Sequence, residues 1–228
     1  TSLEVAGELN EGLTDASFMY SVSGVVKMDN PLPSTLKNID SMFYCCKLKE
    51  IDWKIFDNVT IDSAKNTFAG CNKLVSIKGE INHIKDGTGL LSSCGFTVMP
   101  KFATDNILEI ADSMFGTGTG EYKKLESYGG NTLPNSVKSM KYCFAYTDVT
   151  EVLPVPSGIT DKKSFKGCYR NCTKLTDVSN MIDFISSHTD TNDNSCFTDS
   201  LAITTPATAK ELNEQYSGWS FNHVTVPY

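Results

Sequence analysis

The chain repeats itself, and that limits what it can fold into more than any other feature. Pro33-Ser34-Thr35-Leu36-Lys37-Asn38-Ile39-Asp40-Ser41-Met42-Phe43 superimposes without a gap on Pro134-Asn135-Ser136-Val137-Lys138-Ser139-Met140-Lys141-Tyr142-Cys143-Phe144. Both run on into one pattern, with Cys46, Leu48 and Ile51 matched by Thr147, Val149 and Val152. Asp40-Ser41-Met42-Phe43 recurs unchanged as Asp112-Ser113-Met114-Phe115. An aromatic or aliphatic anchor marks each copy: Phe43, Phe68, Leu91, Phe115, Phe144, Tyr169, then Cys196 or Phe197. Phe18 marks a degenerate first copy. The spacing lies in the range of leucine-rich repeats.

One copy of this length has too few apolar groups to close a core, whereas stacked copies share one. Cys46, Cys71, Cys94 and Cys172 each stand three residues after an anchor. A free thiol behaves there as a small hydrophobe that lets neighbouring copies approach. The Leu-x-x-Ile step reads as extended, so that successive copies add parallel strands about 4.8 Å apart. Asp-Ser-Met-Phe reads as a helical or 3₁₀ turn with Asp as N-cap. The expected fold is therefore an α/β repeat solenoid: a leucine-rich-repeat-like right-handed coil with short parallel strands on one face and helical or 3₁₀ turns on the other. Residues 1–30 are expected to form an N-terminal cap or degenerate repeat. Residues 31–205 form about seven repeats, and residues 206–228 a C-terminal cap, all in one domain. The cap is read as a helix over Ala207–Tyr216 starting at Pro206 and stopping at Gly218, followed by a strand from Trp219 to Val226.

Composition narrows the partners. A net charge of -7 argues against nucleic acid, since phosphate neutralisation needs clustered Lys and Arg. Of the 20 basic residues only Arg170 is an arginine, which leaves few bidentate anion clamps. No run of apolar residues is long enough for a spanning helix. The opening Thr1-Ser2-Leu3, without Met, fits a removed leader or a trimmed start.

The run Leu32-Pro33-Ser34-Thr35-Leu36-Lys37-Asn38-Ile39, then Met42-Phe43, Cys46, Leu48 and Ile51, resembles the leucine-rich repeats of BspA-like bacterial surface proteins. Leu133-Pro134-Asn135-Ser136-Val137 repeats the signature, and Phe68, Cys71, Leu74 and Ile77 resemble related repeats of bacterial surface lipoproteins. The resemblance covers residues 30–205, and the Trp219 segment is similar to the closing segment of such proteins. It departs from the pattern at Gly116–Lys124 and Thr189–Ser195. It implies an extracellular or cell-surface location, outer-membrane-anchored or secreted, with a lipid anchor upstream and a role in adhesion. Repeat signatures identify architecture better than ligand.

No catalytic, cofactor-binding or metal-binding residue is assigned, no cofactor is expected, and the ligand-binding residues are left open. The eight Cys read as a buried thiol ladder, with a disulfide from Cys45 or between Cys168 and Cys172 as the alternative. Zinc is disfavoured because no Cys-x-x-Cys pair exists. His83, His188 and His223 read as structural or solvated, since nothing places them beside a nucleophile. Gly116-Thr117-Gly118-Thr119-Gly120 with Lys123 and Lys124 superficially suggests a phosphate loop but lacks its Gly-Lys-Ser/Thr ending, so it reads as an insertion. Asp190-Thr191-Asn192-Asp193-Asn194 offers alternating oxygens, yet lacks the Gly and terminal Glu of a calcium loop and reads as a solvated turn. Asn58 and Asn171 head glycosylation sequons.

The leading expectation is a non-catalytic, monomeric surface module, adhesin-like, that binds a host or bacterial surface protein or glycan. Lys49, Glu50, Ser76, Thr97, Thr150, Glu151 and Asp177 are expected to face outward. A spacer or assembly domain of a larger surface lipoprotein is the alternative. A glycan-active enzyme is the remote one, for want of a cleft with paired carboxylates.

Overall fold

The computed structural model describes residues 4–117, 125–192 and 194–221. Among them, regular strand is confined to β1 (Glu50–Asp52), β2 (Ile61–Ser63), β3 (Ser76–Lys78) and β4 (Ile84–Asp86). β1 pairs in parallel with β3, bringing Ile51 opposite Ile77, and β2 pairs in parallel with β4, bringing Ile61 opposite Ile84. Both sheets stop at two strands and neither closes. The α-helices are α1 (Ile182–Ser187) and α2 (Ala209–Gln215). This corrects the expected leucine-rich-repeat-like α/β solenoid: among the described residues neither sheet extends beyond two strands, and no helical face stands opposite one.

The reason lies in the residues that end each extended step. Val98 bridges Ser127 and Glu151 bridges Asp177, but Pro100, Gly129 and Pro154 come within three residues. Proline supplies no N–H to a ladder, and glycine pays most in entropy to stay extended. In β1 the run ends because the Asp52 carboxylate accepts the Lys54 N–H and caps the 3₁₀ turn Trp53–Phe56. Most pairings therefore remain single bridges.

The repeated positions are joined by turns instead. Phe18, Tyr20 and Val22 donate backbone N–H groups to the carbonyls of Asp40, Met42 and Tyr44 at 2.9, 3.0 and 2.7 Å. Ser41, Phe43 and Cys45 donate in the same way to Lys65, Thr67 and Ala69 at 2.7, 2.9 and 2.8 Å. The intervening N–H groups fold back within their own copy, as Met42 to Ile39 and Tyr44 to Ser41. This alternation needs left-handed backbone two residues before the anchor, at Ser41, Asn66, Gly89, Ser113, Tyr142 and Gly167, and again two after it, at Cys45, Gly70, Ser93 and Asn171. Asp-Ser-Met-Phe is accordingly not a helical turn: Ser41 and Ser113 both have φ of 54°, outside any right-handed helix.

The anchors form the core. Tyr20, Phe43 and Phe68 stack at centroid spacings of 5.5 and 5.6 Å. Phe115, Phe144, Tyr169, Phe197 and Phe221 form a second stack at 5.6, 5.5, 5.8 and 4.5 Å. Near-parallel pairs at these distances contribute roughly 0.5–1.5 kcal/mol each beyond their burial. Leu91 takes the anchor place between the stacks and is buried there. Two expectations shift. The first copy is anchored by Tyr20, not Phe18, which occupies the left-handed position with φ of 59° and is 65% exposed. Phe197, not Cys196, carries the later anchor ring.

At the C-terminal side, α2 starts after Thr208 rather than at Pro206. The Thr208 hydroxyl accepts the Glu211 N–H and the Glu211 carboxylate accepts the Thr208 N–H, a reciprocal cap that satisfies two orphan donors. The expected strand from Trp219 does not begin there: Ser217–Trp219 is a 3₁₀ turn through Gly218, and Ser220 is left-handed. The rest of that segment, residues 222–228, lies outside the described residues.

Candidate binding surface

The parallel bridges hold a flank of side chains in register. Val5 sits beside Lys27, Glu50 beside Ser76, Val98 beside Ser127, and Glu151, Asp177 and Thr205 form a consecutive row. The next residue along each strand is turned inward, as Ala6, Met28, Ile51, Met99, Tyr128 and Val152 show by their burial. Alternation across an extended backbone puts the bridge residues on the outer side. Lys49, Glu50, Thr150 and Glu151 are exposed, and Ser76, Thr97 and Asp177 half-exposed. Polarity along the flank is mixed. Lys78 pairs with Glu50 across β1 and β3, and the Thr176 hydroxyl donates to the Thr150 carbonyl at 3.1 Å. The Glu50 hydrogen bond raises the Lys78 pKa, though a pair so exposed adds little stability.

The cysteines pack. Cys46, Cys71, Cys94 and Cys172 donate their thiols to the carbonyls of Tyr20, Phe43, Phe68 and Phe144 at 2.9, 3.0, 3.1 and 3.1 Å, each the anchor of the preceding copy. Thr147, at the same repeat position, donates its hydroxyl to Phe144 of its own copy at 2.7 Å. All eight cysteines are free thiols, and only Cys45 is exposed. Burial pushes Cys71 up to about 12 and pushes Cys94, Cys143, Cys168 and Cys196 well above the ordinary thiol range. Such thiols are poor nucleophiles, because the thiolate is the reactive form.

His83 is half-buried with φ of 63°, and its carbonyl receives the Ile61 N–H. His188 lies face to face with Phe184 at 4.0 Å, its Nδ1 2.9 Å from the Phe184 carbonyl and its Nε2 3.3 Å from the Thr160 carbonyl. His223, Gly118–Gly120, Lys123 and Lys124 fall outside the described residues. Gly116 is buried where an added Cβ would lie 2.7 Å from the Tyr142 carbonyl, and Thr117 donates to the Tyr146 carbonyl. The close approach of backbone to backbone, rather than phosphate, accounts for that glycine. Asn58 is exposed, whereas Asn171 is half-buried in left-handed backbone.

The oxygens of the Asp190 loop are occupied in an unforeseen way. Lys162, 4% exposed, donates Nζ to the Asp190 carbonyl at 2.8 Å, the Asp190 carboxylate at 2.9 Å and the Asn192 carbonyl at 2.8 Å. The same ammonium lies 5.9 Å from the Trp219 ring centroid, within range of a cation–π attraction. Asp190, Thr191 and Asn192 are exposed, as a solvated turn requires, and on its inner side the same turn cages an internal cation; Asp193 falls outside the described residues. Sequence reasoning also missed Asp40 and Asp112. Asp40 accepts the Ser63 hydroxyl and the Lys65 N–H, both at 2.7 Å, while Asp112 accepts the Ser139 hydroxyl at 2.6 Å and the Lys141 N–H at 2.8 Å. Each carboxylate caps the next copy rather than its own. The signal is present as Ser-x-Lys, one repeat after each Asp-Ser-Met-Phe.

A concavity of about 560 Å³ beside α2 is lined by Leu201, Ile203, Ala209, Asn213 and Phe221 among others. Among the described residues no group of three or more His, Cys, Asp or Glu is placed to hold a metal ion, and no helix is long and apolar enough to cross a membrane. No protein-family model matches the chain, and neither the curated proteins nor the solved structures contain a match.

Proposed function

We propose that the chain is a non-catalytic binding module of the cell surface or extracellular space, adhesin-like, that recognises a surface protein or glycan through its bridged flank. The flank itself carries this reading. Backbone pairing holds Lys27, Glu50, Val98 and Glu151 outward in register on buried neighbours, so they meet a ligand with little ordering cost. The buried thiols and the His188 ring, which is stacked on Phe184 and bonded to backbone, serve packing, which supports binding rather than covalent chemistry. The surface location, with lipid anchoring upstream, rests on the resemblance of the Leu32–Ile51 motif to BspA-like surface proteins.

The test is a panel of immobilised host-surface proteins, glycans and bacterial-surface components, probed with the protein and with a Lys27→Glu/Glu50→Lys/Val98→Lys/Glu151→Lys variant of unchanged melting temperature. The reading expects a ligand retained by the first and lost by the second. Binding to nothing on the panel, or equal binding by the variant, overturns it.

A further inference from the structure

The copy anchored by Tyr169 carries polar groups that neither the core nor the bridged flank uses. Arg170, the chain's only arginine, follows that anchor directly. In the copies anchored by Phe68 to Phe197 the same place otherwise holds small residues: Ala69, Ser92, Gly116, Ala145 and Thr198. Among the described residues the Arg170 guanidinium enters no ion pair, and its Nε is buried without an acceptor. Thr198, one copy on, is 2% exposed, and its hydroxyl is likewise buried without a partner. Backbone holds the two in step: the Asn171 N–H donates to the Thr198 carbonyl at 2.8 Å, and the adjoining anchor rings of Tyr169 and Phe197 lie 5.8 Å apart. Two unsatisfied donors at matching places, one of them charged, are costly unless an acceptor serves both.

Two tyrosines adjoin the same turn. Tyr142 and Tyr146 stand two residues before and after the anchor Phe144, both in left-handed backbone, with φ of 55° and 63°. Other copies put Ser41, Asn66, Gly89 or Ser113 at the first place and Cys45, Gly70, Ser93 or Asn171 at the second. A bulky residue in that region is rare, and such outliers gather at binding sites. The chain makes room for one ring: Tyr142 lies against Gly167, where an added Cβ would stand 2.2 Å from it. Gly167 accepts the Arg170 N–H at 3.1 Å, and the Arg170 carbonyl accepts the Tyr146 N–H at 2.8 Å. Both tyrosines and Arg170 are half-exposed, so this turn is reached from the surface.

The residue types select the ligand. A guanidinium fork with no acid of its own matches a carboxylate. Tyrosine rings give rigid contact, apolar on the face and polar at the edge, at low ordering cost. Lys141 and Lys166, exposed one residue before Tyr142 and Gly167, outweigh the single carboxylate of Asp199 beside Thr198. We propose that this turn binds an acidic sugar, its carboxylate held by Arg170 and Thr198 and its ring set against Tyr142 and Tyr146. A bare anion would use the fork without the rings, and a neutral sugar the rings without the fork. The site is built from residues outside the bridged flank, so either can fail alone.

The probes are oligosaccharides ending in glucuronic, galacturonic or sialic acid, titrated into the full chain by isothermal calorimetry. At least one is expected to bind saturably, and its methyl ester at least ~10-fold more weakly. Arg170→Ser, the residue type of Ser92, removes the buried Nε, so it should keep or raise the melting temperature while binding at least ~10-fold more weakly. Arg170→Lys keeps the charge without the fork and should not restore affinity. Tyr142→Asn/Tyr146→Asn, whose new residues tolerate left-handed backbone, should keep the fold and also lose at least ~10-fold. The proposal is overturned if none of the three acids binds, if acid and ester bind alike, or if either the Arg170→Ser or the tyrosine variant binds as the wild type does. Full displacement by sodium sulfate at matched ionic strength makes the turn a bare-anion site, and capture of a peptide C-terminus in place of the sugars assigns the fork to protein; each also overturns it.

Discussion

Lys162 reaches Asp190 across 28 residues of sequence and is held there by two carbonyls as well as the carboxylate. A buried ammonium is tolerated only when its donors are all paired, and here one loop supplies the acceptors.

Removing the cation should expose that dependence. Lys162→Met keeps the stem but leaves the carbonyls of Asp190 and Asn192 unpaired, and should cost roughly 2–4 kcal/mol. Chemical denaturation monitored by circular dichroism reads the loss directly. An unchanged midpoint would show the cage to be incidental.

Acid should act through the same pair. The Lys162 hydrogen bond holds the Asp190 carboxyl below the usual carboxylate range, aided by the Asn192 N–H. A carboxyl depressed on folding contributes stability that is present above its unfolded pKa and lost as pH falls through the folded one. Between ~pH 5 and ~pH 2 the wild type should therefore lose more melting temperature than Asp190→Asn. Parallel curves for the two proteins would remove Asp190 from the acid response.

The carboxylates that cap forward should be coupled to their partners. Asp112→Ala strands the Lys141 N–H and the Ser139 hydroxyl and should cost about 1–3 kcal/mol. A double-mutant cycle with Ser139→Ala should return a coupling of at least ~0.5 kcal/mol. Additive losses would mean that the 2.6 Å contact contributes nothing specific.

Gly167 is fixed by its neighbour and by its backbone. An added Cβ would stand 2.2 Å from the Tyr142 ring, at φ of 62°. Gly167→Ala should lose about 1–3 kcal/mol, and adding Tyr142→Ala should recover the steric part while leaving the conformational part. Thermal melts of the two variants separate these contributions.

Thiol chemistry offers a count. In native buffer at neutral pH one thiol, Cys45, should react promptly with an aromatic disulfide reagent, and all eight should react in denaturant. Cys71, pushed up to about 12 by burial, should remain silent until the protein unfolds. Prompt reaction of two or more native thiols would contradict the packing of Cys46, Cys71, Cys94 and Cys172.

The copies are legible in the sequence because the stacked anchors are aromatic and Cys46, Cys71, Cys94 and Cys172 recur at one fixed offset from an anchor. The architecture joining them is not. It depends on left-handed residues at Ser41, Cys45, Asn66 and Tyr142, which share no side-chain type, and on N–H groups that alternate between neighbouring copies. Read locally, the same stretch resembles a capped helical turn, and the Leu-x-x-Ile step resembles a strand. The prolines and glycines that cut the strands short are visible, but such residues equally mark turns beside a continuous sheet. The flank residues come from simple alternation. The Lys162 cage could not be foreseen, because its donor and acceptors lie in different copies and no local motif links them.

Leu91 leaves a gap between the two aromatic stacks, and each stack holds one of the chain's two tryptophans. Trp53 touches Phe56 and Phe68 on one side of the gap, and Trp219 touches Phe165 and Phe197 on the other. Both indoles are buried. The molecule thus carries a native emission reporter in each half, and replacing one indole at a time lets the melting of either half be watched without any added dye.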